Sequence, residues 1–473
     1  MRFFRHYLSL PTALLAVFEF LLFLTAMIVF GIAGNYDSLY FRGIGHLDLW
    51  QAVIVAFFYT AISSAMGLYN RDALLDFRVF IGRFLLTSQV VLLPTVLFFA
   101  VAKAATDLPF GWYIGILSLA IGTYFSIVLI VRVIVFWTVD HPLFKRRILV
   151  LGDGPLAERV IGFIRAEGSA HLRCVGISGR KEADRQSALT IGNLALRLHP
   201  EASPISLPEI AETTRAEEIV VATNERRGLP FNELLECRLR GIQVTDYGKF
   251  WEREAGTIDV EQVGQGALAF EDGFRVNFSR RFFKRALDIV VGSAFLILTA
   301  PVCAVVAILV KLDSPGPVLF FQDRVGLDGR VFRICKFRSM SADAEADGVA
   351  RWASERDPRI TRVGRLIRRV RLDEFPQVVN VLLGDMSFIG PRPERAVFVE
   401  QLRKDIPFYD IRHRVQPGIT GWAQVSYKYG ASREDAKRKL GYDLYYVKNG
   451  DLLLDLAILL QSVRVILFAH GGR

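Results

Sequence analysis

The chain is poor in cysteine. Its 473 residues hold four, Cys174, Cys237, Cys303 and Cys335, scattered and never in a Cys-x-x-Cys pair. That pattern argues against a disulfide framework or a cysteine zinc site and suits reduced, buried thiols in a cytoplasmic context. Acidic charge is in deficit: 48 Asp and Glu stand against 58 Lys and Arg, for a net charge of +10 and a pI near 9.5. Such a balance favours anionic partners, namely lipid headgroups, nucleic acid or phosphorylated substrates. Internal repeats and low-complexity tracts are missing. A cleavable signal is not expected, because further apolar segments follow the first one.

What is abundant is apolar sequence. Hydrophobic residues make up 52% of the chain and the mean hydropathy is +0.31, too apolar for an ordinary soluble protein. Four long apolar stretches come first, at 11–31, 48–68, 79–101 and 111–137. Each is near the ~20 residues that span a bilayer. Arg2 and Arg5 precede the first, Arg71, Arg78 and Arg83 lie at the second-to-third connection, and Lys145, Arg146 and Arg147 follow the fourth. The other two connections carry only Arg42 and Lys103. The excess of positive charge therefore predicts a four-helix transmembrane bundle over 1–140 with both ends on the cytoplasmic side.

Residues 146–265 read as soluble. "RRILVLGDGPLAERVIGFIR" has the pattern of strand, glycine turn and helix, and "RCVGIS" and "EEIVVAT" read as further strands. The alternation predicts a small parallel, Rossmann-like α/β domain. Its turn, Gly152-Asp-Gly154-Pro-Leu-Ala157, only approaches the dinucleotide fingerprint, and no acidic residue closes the second strand near "VGISGR". The preferred reading is a Rossmann-like module without a bound cofactor.

A fifth apolar stretch, 287–310, is long enough to span but carries Pro301 at its centre, with "RRFFKR" before it and Lys311 after it. A central proline removes a hydrogen bond and kinks a helix. A crossing here would put the basic region beyond it outside the cell, against the positive-inside pattern. A re-entrant helix that bends at Ala300-Pro301 and returns to the same face satisfies both constraints; the alternative is a plain fifth span. The rest of the α/β region, to residue 473, has short strand and helix patterns. Near its end, "DLLLDLAILLQSVRVIL" is either an amphipathic helix on the membrane surface or a core helix.

The chemistry centres on "VRLDEFPQVVN", where Asp373 and Glu374 stand together after the basic run "GRLIRRVR". "DEFPQVVNVLLG" reads as a helix with Asp373 at its cap, Pro376 in the first turn and Gly384 just past the end. An acid there can serve simply as a cap. The same position attracts phosphate, an ionised aspartate is a competent nucleophile toward phosphorus, and paired carboxylates offer oxygen ligands to Mg2+. Arg368, Arg369 and Arg371 bring counter-charge from upstream. Downstream, Arg392 sits between two prolines that fix its backbone, and its fork suits bidentate phosphate recognition.

"FFQDRVGLDGRVFRICKFRSM", "RLDEFPQVVNVLLGDMSFIGPRPE", "QPGITGWAQV" and "YDLYYVKN" occur in this order over about 280–473. Together they resemble the bacterial sugar transferases, the polyprenyl-phosphate hexose-1-phosphate transferases that initiate exopolysaccharide, capsule and O-antigen assembly. The four-span start and Rossmann-like module resemble the large form of that family more loosely. The resemblance implies transfer of a hexose-1-phosphate from a UDP-sugar to polyprenyl phosphate, with release of UMP and with magnesium, at the cytoplasmic face of the bacterial inner membrane. It implies a catalytic domain over 280–473, Asp373 as the nucleophile that becomes a phosphosugar adduct, and Glu374 as its partner. Both carboxylates are then metal ligands, Arg368 and Arg392 bind phosphate, and Pro301 marks the membrane bend. Where the family usually has Ser-Pro at that bend, this chain has Ala300-Pro301.

A membrane-anchored nucleotide-sugar dehydratase or epimerase would need a Tyr-x-x-x-Lys pair, and no tyrosine here has lysine four residues on. A lipid-binding scaffold would not require Asp373-Glu374 beside Arg392. Nucleic-acid binding is not expected, since basic residues beside apolar segments fit membrane apposition. The sugar transferred is not legible, glucose and galactose being the family's usual choices. The role of 146–265 and the oligomeric state stay open, with a homodimer as the working assumption.

Overall fold

A computed structural model of the chain describes residues 15–26, 49–69, 73, 77–103, 122–134, 145–152, 154–166, 172–178, 188–191, 194–197, 206–223, 227–262, 273–274, 278–341, 344, 357–427 and 432–467. The chain divides into two compact units, one spanning Ser9–Trp251 and one made chiefly of Glu252–Arg473.

The first unit begins with four helices, α1 (Leu15–Ala26), α2 (Leu49–Ala65), α3 (Phe77–Lys103) and α4 (Gly122–Ile134). They fall in the four apolar stretches read from the sequence. Residues 11–14, 27–31, 48, 111–121 and 135–137 of those stretches lie outside the described residues. The helices share an aromatic core: Phe23, Tyr59 and Tyr124 meet with ring centroids 4.8 Å apart, and Phe84 stands edge-on to Phe125. Within the same interior, Arg132 Nε donates to Glu19 Oε1 at 2.8 Å and the Tyr69 hydroxyl donates to Glu19 Oε2 at 2.7 Å. Both charged side chains are buried, while Phe18, Leu21, Phe57, Phe58, Ile130 and Ile134 face outward. An apolar exterior around a buried ion pair is the reverse of the usual soluble arrangement.

The α/β part of this unit bears out the strand reading. Strands β1 (Arg146–Leu151), β2 (Leu172–Ser178), β5 (Glu218–Val221) and β6 (Gln243–Asp246) form one parallel sheet in the order β2-β1-β5-β6. The short antiparallel pair β3 (Ala188–Ile191) and β4 (Leu194–Arg197) forms a separate sheet. Burial on both faces explains why β1 is almost wholly apolar. Ile148 and Val150 pack with Leu156, Val160 and Ile164 of α5 (Pro155–Arg165). Leu149 and Leu151 pack on the other side with Leu207 of α6 (Leu207–Thr213) and with Leu234 and Cys237 of α7 (Phe231–Leu239). Gly152, at φ 145°, lies so close to the chain after β5 that a Cβ would stand 2.3 Å from the Ala222 carbonyl oxygen. That glycine is therefore required by strand packing, whatever ligand the turn does or does not hold. Helix α8 (Tyr247–Ala255) follows β6.

In the second unit, residues 256–260 join the core through Ile258 and Val260, which cluster with Leu440, Leu444 and Tyr445. Trp422 Nε1 donates to the Gly256 carbonyl at 2.7 Å. Helix α9 (Phe278–Asp313) is 36 residues long and runs unbroken through Pro301. Among the described residues it supplies the one segment, Arg280–Asp313, long and apolar enough to cross a membrane, and only 11% of its most apolar window is buried. Both halves of α9 dock on the same body. Phe295 meets Phe375 at 4.9 Å, and beyond Pro301 the residues Val306 and Val310 pack with Phe337 and Ile367. Between those contacts Ile297, Leu298, Val302 and Val305 are exposed.

After α9 come the antiparallel hairpin β7 (Leu319–Val325) and β8 (Val331–Phe337), then α10 (Arg362–Arg369) and α11 (Gln377–Leu383). Strand β9 (Ser387–Ile389) pairs in parallel with β10 (Gly418–Thr420), with α12 (Ala396–Asp405) between them. Helices α13 (Trp422–Ser426), α14 (Arg433–Asn449) and α15 (Leu452–Leu467) complete the unit. Helix α15 packs as a core helix through Leu454 and Ile458, while Leu452, Leu453 and Leu456 are exposed.

Removing one partner of a buried ion pair typically costs about 3–5 kcal/mol, because the other charge is stranded. Glu19→Ala should therefore lower the unfolding temperature of the detergent-solubilised protein, and Glu19→Leu with Arg132→Met should regain much of that loss. Thermal unfolding of the single and double variants measures this directly.

Candidate active site

The two central carboxylates lie in a short 3-10 turn, Leu372–Glu374, that runs on through Phe375 and Pro376 into α11. Arg371 precedes it in the left-handed conformation, at φ 56°. This corrects the sequence expectation in one detail. Asp373 is not the cap of the helix: Pro376, expected in its first turn, holds that place, and both acids lie just before it in the 3-10 turn that Arg371 opens. Gly384 ends the helix as expected, at φ 94°.

Glu374 is buried and engaged. Its Oε1 accepts from Arg392 Nη2 at 2.7 Å and lies 3.8 Å from Lys336 Nζ, while its Oε2 lies 3.8 Å from Arg371 Nη1. Burial alone would raise its pKa, but Arg392 and Lys336 outweigh burial and hold the carboxyl well below the usual range. Asp373, next in the chain, has no hydrogen bond or ion pair among the described residues. Burial first, and the Glu374 charge second, push its carboxyl up to about 6 against the pull of Lys336, Arg368 and Arg392. Lys336 is itself brought down to about 8, chiefly by burial. Adjacent carboxylates with opposite shifts are a recurring sign of divided labour in a site.

Each cation comes from a different element, and each element is tied down. Arg368 rides on α10, whose first turn is held by Thr361, which accepts from Gly364 N, and by Asp313, which accepts from Val363 N. Gly364 packs so closely that a Cβ would stand 2.0 Å from the Ser339 carbonyl oxygen. Arg368 is half-buried and acts on Asp373 through its charge, whereas Arg369 points to solvent. Lys336 is fixed by Asn380 of α11, whose side chain accepts from Cys335 N at 2.9 Å and donates to the Arg333 carbonyl at 2.8 Å. Arg392 lies in Pro391-Arg392-Pro393. Arg412 Nη2 donates to the Arg392 carbonyl at 2.8 Å, and Arg412 is locked by Asp443 and the Tyr409 hydroxyl.

The sequence residues Asp373, Glu374, Arg368 and Arg392 are thus brought together. Pro301, on α9, is a residue of the membrane-type helix and not of this cluster. Lys336 is the group that sequence reading missed. No local signal marks it: along β8 the side chains of Cys335 and Phe337 alternate to the other face, as they would beside a solvated lysine. Two carboxylates facing Lys336, Arg368, Arg371 and Arg392 leave a surplus of positive charge, suited to a substrate with several phosphate oxygens. Among the described residues no cluster of three or more His, Cys, Asp or Glu forms a self-sufficient metal cage.

Fold and site together define an α/β protein that carries an exposed apolar helix long enough to cross a membrane and a cation-ringed carboxylate pair of the kind that handles phosphoryl groups. A family model described as "Bacterial sugar transferase" matches residues 279–469. The chain is 43% identical over 240 residues to a UDP-N-acetylgalactosamine-undecaprenyl-phosphate N-acetylgalactosaminephosphotransferase of Aeromonas hydrophila, covering 51% of this chain and 56% of that protein. It is 32% identical over 337 residues to an undecaprenyl-phosphate glucose phosphotransferase of Komagataeibacter xylinus, covering 69% and 60%. It is 42% identical over 189 residues to an exopolysaccharide production protein of Rhizobium leguminosarum, covering 38% of this chain and 92% of that protein. The chain belongs to the bacterial sugar transferase family. Its matches to the first two of these relatives span less than two thirds of their length.

Asn380→Ala would leave the Cys335 amide and the Arg333 carbonyl without their partner. Each unsatisfied buried group costs about 1–3 kcal/mol. The variant should unfold at clearly lower denaturant concentration than the wild type, with an unchanged slope, in equilibrium denaturation followed by circular dichroism.

Proposed function

We propose that this protein is a phosphoglycosyl transferase that moves a sugar-1-phosphate from a UDP-sugar to polyprenyl phosphate and so initiates a bacterial surface polysaccharide. The observation that carries the reading is the division between the two acids. Glu374 is paired with Arg392 and Lys336, while Asp373, which has no hydrogen bond or ion pair among the described residues, stands beside them with its carboxyl raised to about 6. A carboxylate of that basicity is still ionised at neutral pH and is a better nucleophile than an ordinary aspartate. The names of the relatives supply the substrate class: each of the two transferases acts on undecaprenyl phosphate, one with N-acetylgalactosamine and one with glucose.

In the first step an Asp373 oxygen attacks the phosphorus that bears the sugar. The bond to the bridging oxygen breaks, and UMP leaves with the electron pair. In the second step a phosphate oxygen of the polyprenyl acceptor attacks the same phosphorus and releases the Asp373 carboxylate. The product is a sugar on a polyprenyl diphosphate. Arg368 and Arg392 hold phosphoryl oxygens in both steps, and Glu374 keeps Arg392 and Lys336 in place. The residues fit magnesium, which usually takes one or two carboxylates and completes its shell with water and substrate phosphate. Asp373 is unengaged and Glu374 Oε2 has, among the described residues, only Arg371 at 3.8 Å, so oxygens on both remain open to the ion. When bound, it would neutralise phosphoryl charge.

The membrane reading follows the same logic. Contacts of both halves of α9 with one body, on either side of Pro301, support a re-entrant helix whose outer face is exposed and apolar from Phe282 to Leu312, and the apolar exterior of α1–α4 supports a four-helix transmembrane bundle. The basic flanks favour the cytoplasmic face of the inner membrane. A soluble donor and a bilayer-held acceptor can then use one site in turn.

Asp373→Asn should abolish UMP release from a panel of UDP-hexoses while the protein still inserts into membranes. Mass spectrometry of the wild type with donor alone should find a phosphosugar on Asp373; normal turnover by the variant would refute the nucleophile. Because the protonated acid cannot attack, initial rates should fall as pH drops through about 6, by roughly tenfold per pH unit below it.

A further inference from the structure

The membrane-type helix is joined to the active site by a buried polar ring that the proposed reaction does not use. Asp288, one turn beyond Lys284 on α9, is only 3% exposed. Its Oδ1 accepts from Ser387 Oγ at 3.0 Å and from the Phe388 backbone amide at 3.1 Å. Lys284 Nζ donates to Asp455 Oδ2 at 3.1 Å and to the Tyr446 hydroxyl at 3.2 Å. That hydroxyl lies 2.7 Å from Asp455 Oδ1 and 3.3 Å from the Ile389 carbonyl. All three residues of β9 are therefore gripped, at Ser387 and Phe388 by α9 and at Ile389 by α14. In the other direction, Arg285 donates to the Val381 and Leu382 carbonyls at 2.6 and 2.7 Å, fixing α9 to the end of α11.

Strand β9 matters because it leads into the phosphate-binding segment. Gly390 and Pro391 run at once to Arg392, and the chain has no freedom on the way. Gly390 N donates to the Thr420 carbonyl, Gly418 N donates to the Pro391 carbonyl, and a Cβ on Gly390 would stand 2.2 Å from the Gln416 carbonyl oxygen. A shift of β9 along α9 is thus passed to the Arg392 backbone. The turn bearing Glu374 is meanwhile tied to α9 through α11. The 2.7 Å contact between Arg392 and Glu374 closes a loop whose other side is α9. Hydrogen bonds in such a low-dielectric ring are strong and directional, and an open position in it is correspondingly disruptive.

We propose that Asp288 is a positioning residue for Arg392, holding β9 on the membrane-type helix so that the guanidinium meets both Glu374 and a phosphate of the substrate. The role is acceptance of two hydrogen bonds, which an asparagine oxygen can also perform and an alanine cannot. It deepens the functional reading above, since the phosphate it serves is the one Arg392 binds there.

The test uses the full-length protein in detergent or nanodiscs and reads two quantities, affinity for inorganic pyrophosphate and UMP release from UDP-sugars. Loss of a charge-assisted contact typically weakens binding by roughly tenfold or more. Asp288→Ala and Arg392→Lys should each weaken pyrophosphate binding by about that factor. The double variant should be little worse than either single one, because both remove the same interaction. Asp288→Asn should bind nearly as wild type. Ser387→Ala, which removes one donor and leaves the acid in place, should fall between them, and it serves in place of Asp288→Ala if that variant does not fold. Wild-type affinity in both the Asp288→Ala and Ser387→Ala variants, or fully multiplicative losses in the double variant, would overturn the proposal. Because binding of pyrophosphate needs only the cation cluster, absence of UMP release with the expected binding pattern intact would count against the transferase reading alone.

Discussion

The contact between Glu374 and Arg392 is the constraint on which the site depends. Two neighbouring carboxylates in a half-buried turn repel each other, and burial penalises both. Without compensation the pair would share a proton, as like charges at close range do. Arg392, Lys336 and Arg371 remove that conflict by committing to one member. Asp373 is then left ionisable and, among the described residues, without a hydrogen bond, with Arg368 near enough to temper its charge. The compensating cations come from β8, from the turn itself and from the segment after β9, so the site exists only when those parts are assembled. Asn380, Gly364 and Gly390 are accordingly as much part of its construction as the charged residues, though none of them needs to touch a substrate.

This dependence explains which parts of the protein could be read from the sequence. Local patterns were legible. The alternation of strand and helix over 146–265 predicted β1, β2 and β5 as parallel strands, because a strand buried on both faces must be apolar throughout. Asp373, Glu374 and Arg392 stood out because their types and setting suit phosphate, Arg368 through the resemblance to the sugar transferases, and the fold does bring them together. Lys336 was not legible. It lies 38 residues before Glu374, and only the hydrogen bonds from Asn380 to the β8 backbone set it opposite that acid. The cap was placed three residues early for a local reason: Asp373 lies in a separate 3-10 turn opened by the left-handed Arg371, and the helix itself starts only after Pro376. Nor could hydropathy reveal the Glu19 and Arg132 pair, since one charge in each of two distant apolar runs finds its partner only in the packed bundle.

The same reasoning bears on what a membrane-type helix is for. An anchor need only be apolar, and most of α9 satisfies that demand. Its first turns do more. Lys284, Arg285 and Asp288 face inward and bind four different elements of the α/β body, α14, α15, α11 and β9. Buried polar groups of this kind are a poor way to gain stability, because desolvation offsets much of the attraction. Their advantage is geometric: each hydrogen bond has one acceptable partner at one distance, whereas apolar contacts tolerate sliding. A helix held only by leucine and valine could rotate or slip against β9. Helix α9, held through Asp288 and Arg285, fixes the strand that leads to Arg392 on one side and the helix that comes after Glu374 on the other. If, as proposed, the two substrates come from different phases, that arrangement would tie the position of Arg392 to the helix proposed to enter the membrane, so that the depth of the helix and the geometry of the chemistry are set by the same few bonds.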